Sequence, residues 1–196
     1  AGDQKGKHRG PAWNDGDFYK WIEAASSAML VNKDASLEEK IEKAIAVIGR
    51  AQRSDGYLHT PVQIRALQGD ANAIPFSEPL QFELYNFGHL MTAACIHHRA
   101  TGKRNFLEIA VKAADFLDRT FRSPESPIGR SAICPSHYMG LIDLGRLTQN
   151  QRYLQLAKTL IEQRDRVVEG TDDNQDRVPF RNQRQVVGHA VRANYL

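Results

Sequence analysis

The sequence predicts an all-α protein of paired helices, and three observations carry that prediction. Apolar residues recur at three- and four-residue spacing in one segment after another. No stretch alternates long enough for a convincing strand: Val186-Val187 and Ile64 to Leu67 are the only candidates, both short and flanked by polar residues. An internal echo relates ATGKRNFLEIAVKAADFL from Ala100 to LTQNQRYLQLAKTLIE from Leu147, with Thr101 over Thr148 at a period of 47 residues. Such a period is the mark of repeated helical hairpins.

Taken in order, Phe18, Trp21, Ile22, Ala25 and Met29 fall on one face of a first helix, and Leu37, Ile41, Ala44, Ile45 and Ile48 mark a second. Leu84, Phe87, Met91, Ala94 and Cys95 give a third, and Phe106, Ile109, Ala110, Ala113 and Leu117 a fourth. Tyr138, Leu141, Ile142 and Gly145 make a shorter fifth, Tyr153, Leu156, Ala157, Leu160 and Ile161 a sixth, and a seventh begins near Gly188.

The connections within pairs, at Lys33 to Ser36, Gly102 to Lys103 and Gln149 to Asn150, are short. Those between pairs, Arg53 to Phe82, Phe121 to Pro135 and Asp165 to Val187, exceed the roughly 12 to 15 residues usual for structureless connections. Because the helices alternate up and down, all three long loops are expected at one end of the layer. Loops on a rigid scaffold often carry binding and catalysis, so that end is the candidate functional face. The first, third, fifth and seventh helices open onto it with Asn14, Asp15 and Asp17, then Gln81 and Glu83, then Ser136 and His137, then His189 and Arg192. Helix N-termini suit hydroxyl-rich or anionic ligands, although Asp15 and Ser136 read first as N-caps.

Composition narrows the function classes. Of 196 residues, 41% are hydrophobic and 25% charged, the balance of a globular protein in one large domain. With 26 Lys+Arg interspersed among 23 Asp+Glu, the net charge of +3 gives no nucleic-acid footprint. No apolar run approaches the roughly 18 residues of a membrane span, so no membrane partner is expected. Cys95 and Cys134 are too few for a disulfide scaffold or an all-cysteine zinc site, and they leave the compartment undecided.

Individual motifs are weak one at a time. Asp55-Gly56-Tyr57-Leu58 reads as a turn, His89 as a satisfied core histidine and His97-His98 as a partly exposed surface pair. Cys134 and His137 at i, i+3 suit a zinc ion or a nucleophile pair, but no nearby Cys/His pair completes a zinc site. His189 and Arg192 at i, i+3 suit hydroxyls or a carboxylate. Asp15, Asp17, Asp55 and Glu83 supply enough carboxylates for the acid and second carboxylate that glycosidic-bond cleavage uses.

Jointly, four stretches are far more specific. Asn14-Asp15-Gly16-Asp17-Phe18-Tyr19-Lys20-Trp21, Ala51-Gln52-Arg53-Ser54-Asp55-Gly56-Tyr57-Leu58, Glu83-Leu84-Tyr85 through Gly88-His89, and Gly188-His189-Ala190-Val191-Arg192 resemble glycoside hydrolase family 127, the β-L-arabinofuranosidase-like enzymes. The resemblance implies an (α/α) six-hairpin barrel, or toroid, of which residues 1–196 make about the N-terminal half as a single domain incomplete at its C-terminus. It implies an oligosaccharide or polysaccharide substrate and places His189 against the sugar. It also implies a retaining mechanism with a cysteine nucleophile, a glutamate acid and a zinc ion, all from a segment beyond Gly-His-Ala-Val-Arg. Zinc is therefore expected in the complete enzyme and not in this chain alone, and neither cysteine takes the nucleophile's role. A bacterial protein of periplasmic, secreted or cytoplasmic location fits the resemblance.

Two departures stand out. Phe82 precedes Glu83 where characterised enzymes often have histidine, and Ile133-Cys134-Pro135-Ser136 replaces a Gly-His-Pro-Glu stretch. These imply a different sugar or a different branch of the family, with His137 left to take a polar role in the pocket. The expected substrate-binding set is thus Asp15, Asp17, Tyr57, Glu83, Tyr85, His137, His189 and Arg192, with catalytic residues unassigned and no metal ligand. The competing reading is a non-catalytic helical-repeat module that binds a protein partner, and a third is a sugar lyase or epimerase on the same barrel. The unequal loops favour the enzyme over the repeat module, whose turns are normally short on both sides.

Overall fold

The computed structural model describes residues 8–122, 134–167 and 169–196. Among them there is no strand, and the helices are α1 (Asn14–Val31), α2 (Ala35–Ala51), α3 (Thr60–Leu67), α4 (Glu83–Thr101), α5 (Asn105–Phe121), α6 (His137–Thr148), α7 (Gln151–Arg164) and α8 (Ala190–Asn194). The all-α prediction holds. Ile64 to Leu67 is helical: Pro61 in the first turn pre-sets φ for α3, so the long connection from Arg53 to Phe82 is partly ordered. Ile133 and most of the Phe121-to-Pro135 connection lie outside the described residues.

The helices form two rows. α4 packs between α1 and α6 in one row, while α2, α5 and α7 make the second row behind them. α2 and α7 begin on their own caps: Asp34 accepts from the Ser36 and Leu37 amides at 2.9 and 3.0 Å, and Asn150 from the Arg152 amide at 3.1 Å. The 47-residue echo extends to turn geometry, because Gly102 and Gln149 both end their helices with positive φ, 75° and 54°.

The core sits between the rows. Ile41, Ile45 and Ile48 of α2, and Phe106, Ala110, Ala113 and Leu117 of α5, are buried at the expected spacing. α4 is buried on nearly every side, from Leu84, Phe87 and Leu90 to His97, because it has neighbours on both flanks and behind. Close approach to α6 requires glycine: a Cβ on Gly88 would lie 2.5 Å from the His137 amide nitrogen, and one on Gly140 2.5 Å from the Gly88 carbonyl.

Two sequence expectations change here. Phe18 and Trp21 do not join the core of α1; they stack on each other in solvent at 5.9 Å, while Gly16, Tyr19, Ile22, Ser26 and Met29 turn inward. Small residues facing α4 let the two backbones approach, and that rotates the large aromatics outward. His97 is not a surface residue either. It is fully buried, with Nε2 3.0 Å from Glu42 and its ring edge-on to Phe106.

Candidate functional site

The starts of α1, α4, α6 and α8 converge, and long-range hydrogen bonds hold them together. Asn86 is the central clamp: its Oδ1 accepts from the Gly16 amide at 2.8 Å, and its Nδ2 donates to the Ala12 carbonyl at 2.8 Å and faces His59 Nδ1 at 3.1 Å. Those contacts tie α1 to α4. Ser136 ties α6 to α4 by donating to the Tyr85 carbonyl at 2.9 Å, and makes no side-chain cap bond to its own helix. Asp15 is likewise not the cap of α1. It reaches across to α3, accepting from the Thr60 amide and hydroxyl, each at 2.7 Å.

At the centre of this end, Tyr85 is packed edge-on to His89 with ring centroids 4.6 Å apart, and its hydroxyl pairs with the Lys20 ammonium. Lys20 also reaches Asp17 at 3.1 Å. Tyr195, just after α8, brings its hydroxyl within 3.3 Å of His89 Nε2. Burial, with Lys20 adding to it, lowers the His89 pKa from 6.5 to about 4, so the imidazole is neutral at ordinary pH and keeps one donor and one acceptor. The group combines an ammonium, two phenols, a carboxylate and a neutral imidazole, a set able to donate to and accept from sugar hydroxyls.

Glu83 lies beneath. Its carboxyl accepts from the Tyr57 hydroxyl and from the Phe76 amide at 2.8 Å, and burial raises its pKa from 4.5 to about 7. Tyr57 is fully buried among Phe76, Phe87 and Phe116, so it holds Glu83 in place and does not reach the open face. Asp55 stays in its turn, accepting from the Tyr57 amide at 3.1 Å and pairing with Arg53 at 2.6 Å. The four carboxylates therefore do not assemble into an acid and a second carboxylate: Asp15, Asp55 and Glu83 are committed to structure and Asp17 to Lys20.

The remaining expected residues divide. His137 is fully buried at the α4–α6 contact, and burial together with Arg164 lowers its pKa to about 3. It therefore supports the face from behind and does not line it. Arg192 is engaged rather than free to grip a ligand beside His189: its guanidinium pairs with Asp173 and donates to Cys134 Sγ at 3.1 Å. His189 itself is exposed at the start of α8.

Sequence reasoning missed Lys20, Asn86 and Tyr195, while its reading of His89 as a satisfied buried histidine holds, with His89 5% exposed and its ring bonded to Tyr195. Only Lys20 carried a local signal, its i, i+3 spacing from Asp17. Neither cysteine fits a zinc site. Cys95 is buried in the core with its thiol pushed up to about 12, Cys134 is occupied by Arg192, and no three acidic, histidine or cysteine side chains cluster among the described residues.

Residues 2–195 match the family model for the β-L-arabinofuranosidase GH127 catalytic domain. The chain belongs to this family. A curated relative, the non-reducing end β-L-arabinofuranosidase of Bifidobacterium longum subsp. longum, is 33% identical over 223 residues that take in all of this chain and 33% of the relative. Among solved structures, Ara127N, a GH127 β-L-arabinofuranosidase from Geobacillus stearothermophilus T6, superposes with TM-score 0.85 at 32% identity, covering 99% of this chain and 33% of that one. The GH127 β-arabinofuranosidase BT3674 gives TM-score 0.79 at 33% identity, with 97% and 31% covered. A chain described as a glycoside hydrolase is 50% identical with TM-score 0.74, covering 94% and 28%. The two helical rows are thus part of a GH127 (α/α) barrel, and the chain spans about a third of the length of these relatives.

Proposed function

We propose that this chain forms one wall of the sugar pocket of a glycosidase that releases a terminal β-L-arabinofuranosyl unit from an oligosaccharide or polysaccharide. The observation that carries the reading is the convergence of Lys20, Tyr85, His89 and Tyr195, drawn from α1, α4 and the end of the chain, in a GH127 domain. These residues bind and orient: Lys20 and the two phenols offer donors, neutral His89 supplies a donor and an acceptor, and His189 extends the rim. Asn86, Tyr57 and Glu83 hold the wall rigid, which keeps its donors within the small positional tolerance that catalysis demands. Among the described residues no three histidine, cysteine or acidic side chains gather to hold the zinc ion that the family resemblance implies. Bond cleavage belongs to groups outside this wall.

The test is hydrolysis of a panel of arabinofuranosides by the complete enzyme and its His189→Ala variant. Release of L-arabinose is expected, with kcat/KM reduced at least about tenfold by His189→Ala, a loss of about 1.4 kcal/mol of transition-state binding, at an unchanged unfolding midpoint. No release from any β-L-arabinofuranoside overturns the reading, and unchanged kinetics removes His189 from the site.

A further inference from the structure

One turn, residues 171–176 in the long connection between α7 and α8, holds the backbone on both sides of His189. The turn closes on itself: the Asp176 carboxylate accepts from the Thr171 amide and from Asn174 Nδ2, each at 2.7 Å, and the Gln175 amide donates to the Asp172 carbonyl at 3.1 Å. Arg164, the last residue of α7 and 2% exposed, anchors it to the helical rows by donating to the Asn174 carbonyl and lying 4.0 Å from the Asp176 carboxylate. Three groups of the turn then meet the segment around His189. Gln175 Nε2 donates to the Val187 carbonyl, two residues before His189, and to the Asp172 carbonyl at 2.8 Å. Gly188, with φ +67°, lies so close to the Asp172 carbonyl that a Cβ there would collide with it. Asp173 pairs with Arg192, three residues after His189. Gln175 itself is 3% exposed and left-handed, φ 61°, a conformation that persists in a side-chain-bearing residue only where its surroundings hold it. The His189 imidazole is exposed and takes part in none of these bonds.

We propose that Gln175 and Asp173 are positioning residues that fix the backbone before and after His189 and so aim its imidazole at the terminal sugar; this rests on the glycosidase reading above. A group that orients a substrate must sit within about 0.5 Å of its productive place. A turn anchored by buried Arg164 supplies that constraint, because the backbone carrying His189 is ordered when the chain folds and not when the sugar arrives. Loss of either residue therefore weakens transition-state binding through His189 and by no other route.

The experiment is a double-mutant cycle in the complete enzyme, with methyl β-L-arabinofuranoside as substrate. Gln175→Met keeps the length of the side chain and removes both donated bonds. With His189 present it is expected to lower kcat/KM about fivefold, the order of one lost hydrogen bond. In the His189→Ala background the same change is expected to matter by less than about twofold, because the group it positions is gone. Asp173→Ala removes an exposed partner of Arg192, strands no buried group and so decides the question if Gln175→Met does not fold; about a threefold loss is expected, again only with His189 present. Equal losses in the two backgrounds, which direct contact with substrate or a general folding defect would give, overturn the positioning role, as does no loss in either, and the glycosidase reading stands in both cases. Wild-type enzyme that releases no L-arabinose overturns both.

Discussion

Where the hairpins turn, Asp34 caps α2 and Asn150 caps α7 from two or three residues away, and Thr101 and Thr148 bond back to carbonyls four residues earlier in their own helices. At the opposite end, α1, α4, α6 and α8 all begin without a side-chain cap of their own. Asp15 and Ser136, the residues best suited to capping there, are used on α3 and α4 instead. Bonds at this end join residues 45, 51, 70 and 106 apart in sequence. Both ends carry long-range bonds, since at the turns Lys33 donates to the Ala100 carbonyl and Asn105 to Glu42, but two of the helices that start at the turns are capped locally and none of the four at the other end is. At the uncapped end the polar side chains Asp15, Ser136 and Asn86 are spent on joining one helix to another.

Acid should act most strongly on the packed end. Burial lowers His59 and His137 from 6.5 to about 3 and His89 to about 4, so all three are neutral in the fold. Between pH 6.5 and those values the unfolded chain binds protons that the folded chain does not, so this contribution to stability is lost as pH falls. Glu83 opposes it: burial raises its pKa from 4.5 to about 7, so between those values the folded chain keeps a proton that the unfolded chain releases. Three groups outweigh one. Urea unfolding should therefore show stability falling from pH 6.5 to 4.5, each histidine costing about 2 kcal/mol at pH 5. His137→Asn should make the fall shallower and Glu83→Gln should steepen it; a flat profile with no response to either would break the account.

The next effect is Asn86→Ala, which strands the buried Gly16 amide and the Ala12 carbonyl and frees α1 from α4. Each stranded group costs about 1 to 3 kcal/mol, giving an expected loss of about 3 kcal/mol in denaturant unfolding. The smallest is Asp34→Ala at the turn end, where loss of a single cap costs about 1 kcal/mol. Equal losses from the two variants would erase the distinction between the ends.

The same distinction explains what was legible beforehand. The stripes of α2, α5 and α7 were readable because each faces one neighbour layer, so its apolar side is narrow. On α1 the stripe misled: Phe18 and Trp21 are the most apolar choices, yet Gly16 and Ser26 decide which face meets α4, since only small side chains allow that approach. On α4 a stripe understated burial, because a helix with neighbours on both flanks has almost no outer face. Tyr85 and Glu83 were picked out as site residues from the motif around them, but Tyr57 beneath Glu83, and Asn86 and Tyr195 beside Tyr85, carry no spacing that announces their partners.

By itself the sequence determined the helices, their pairing, the end that carries the long connections and the family, because periodicity, caps and motifs are written over a few residues at a time. Only the tertiary structure decided which polar groups at that end pair with which. Asp15 serves α3, Tyr57 serves Glu83 and Arg192 serves Cys134 and Asp173, whereas Lys20, Tyr85, His89 and Tyr195 come together at the convergence of α1, α4 and α8. The physical reason is that a hydrogen bond between residues 45 to 106 apart exists only after packing has fixed the distance between helices, and no local pattern specifies that distance.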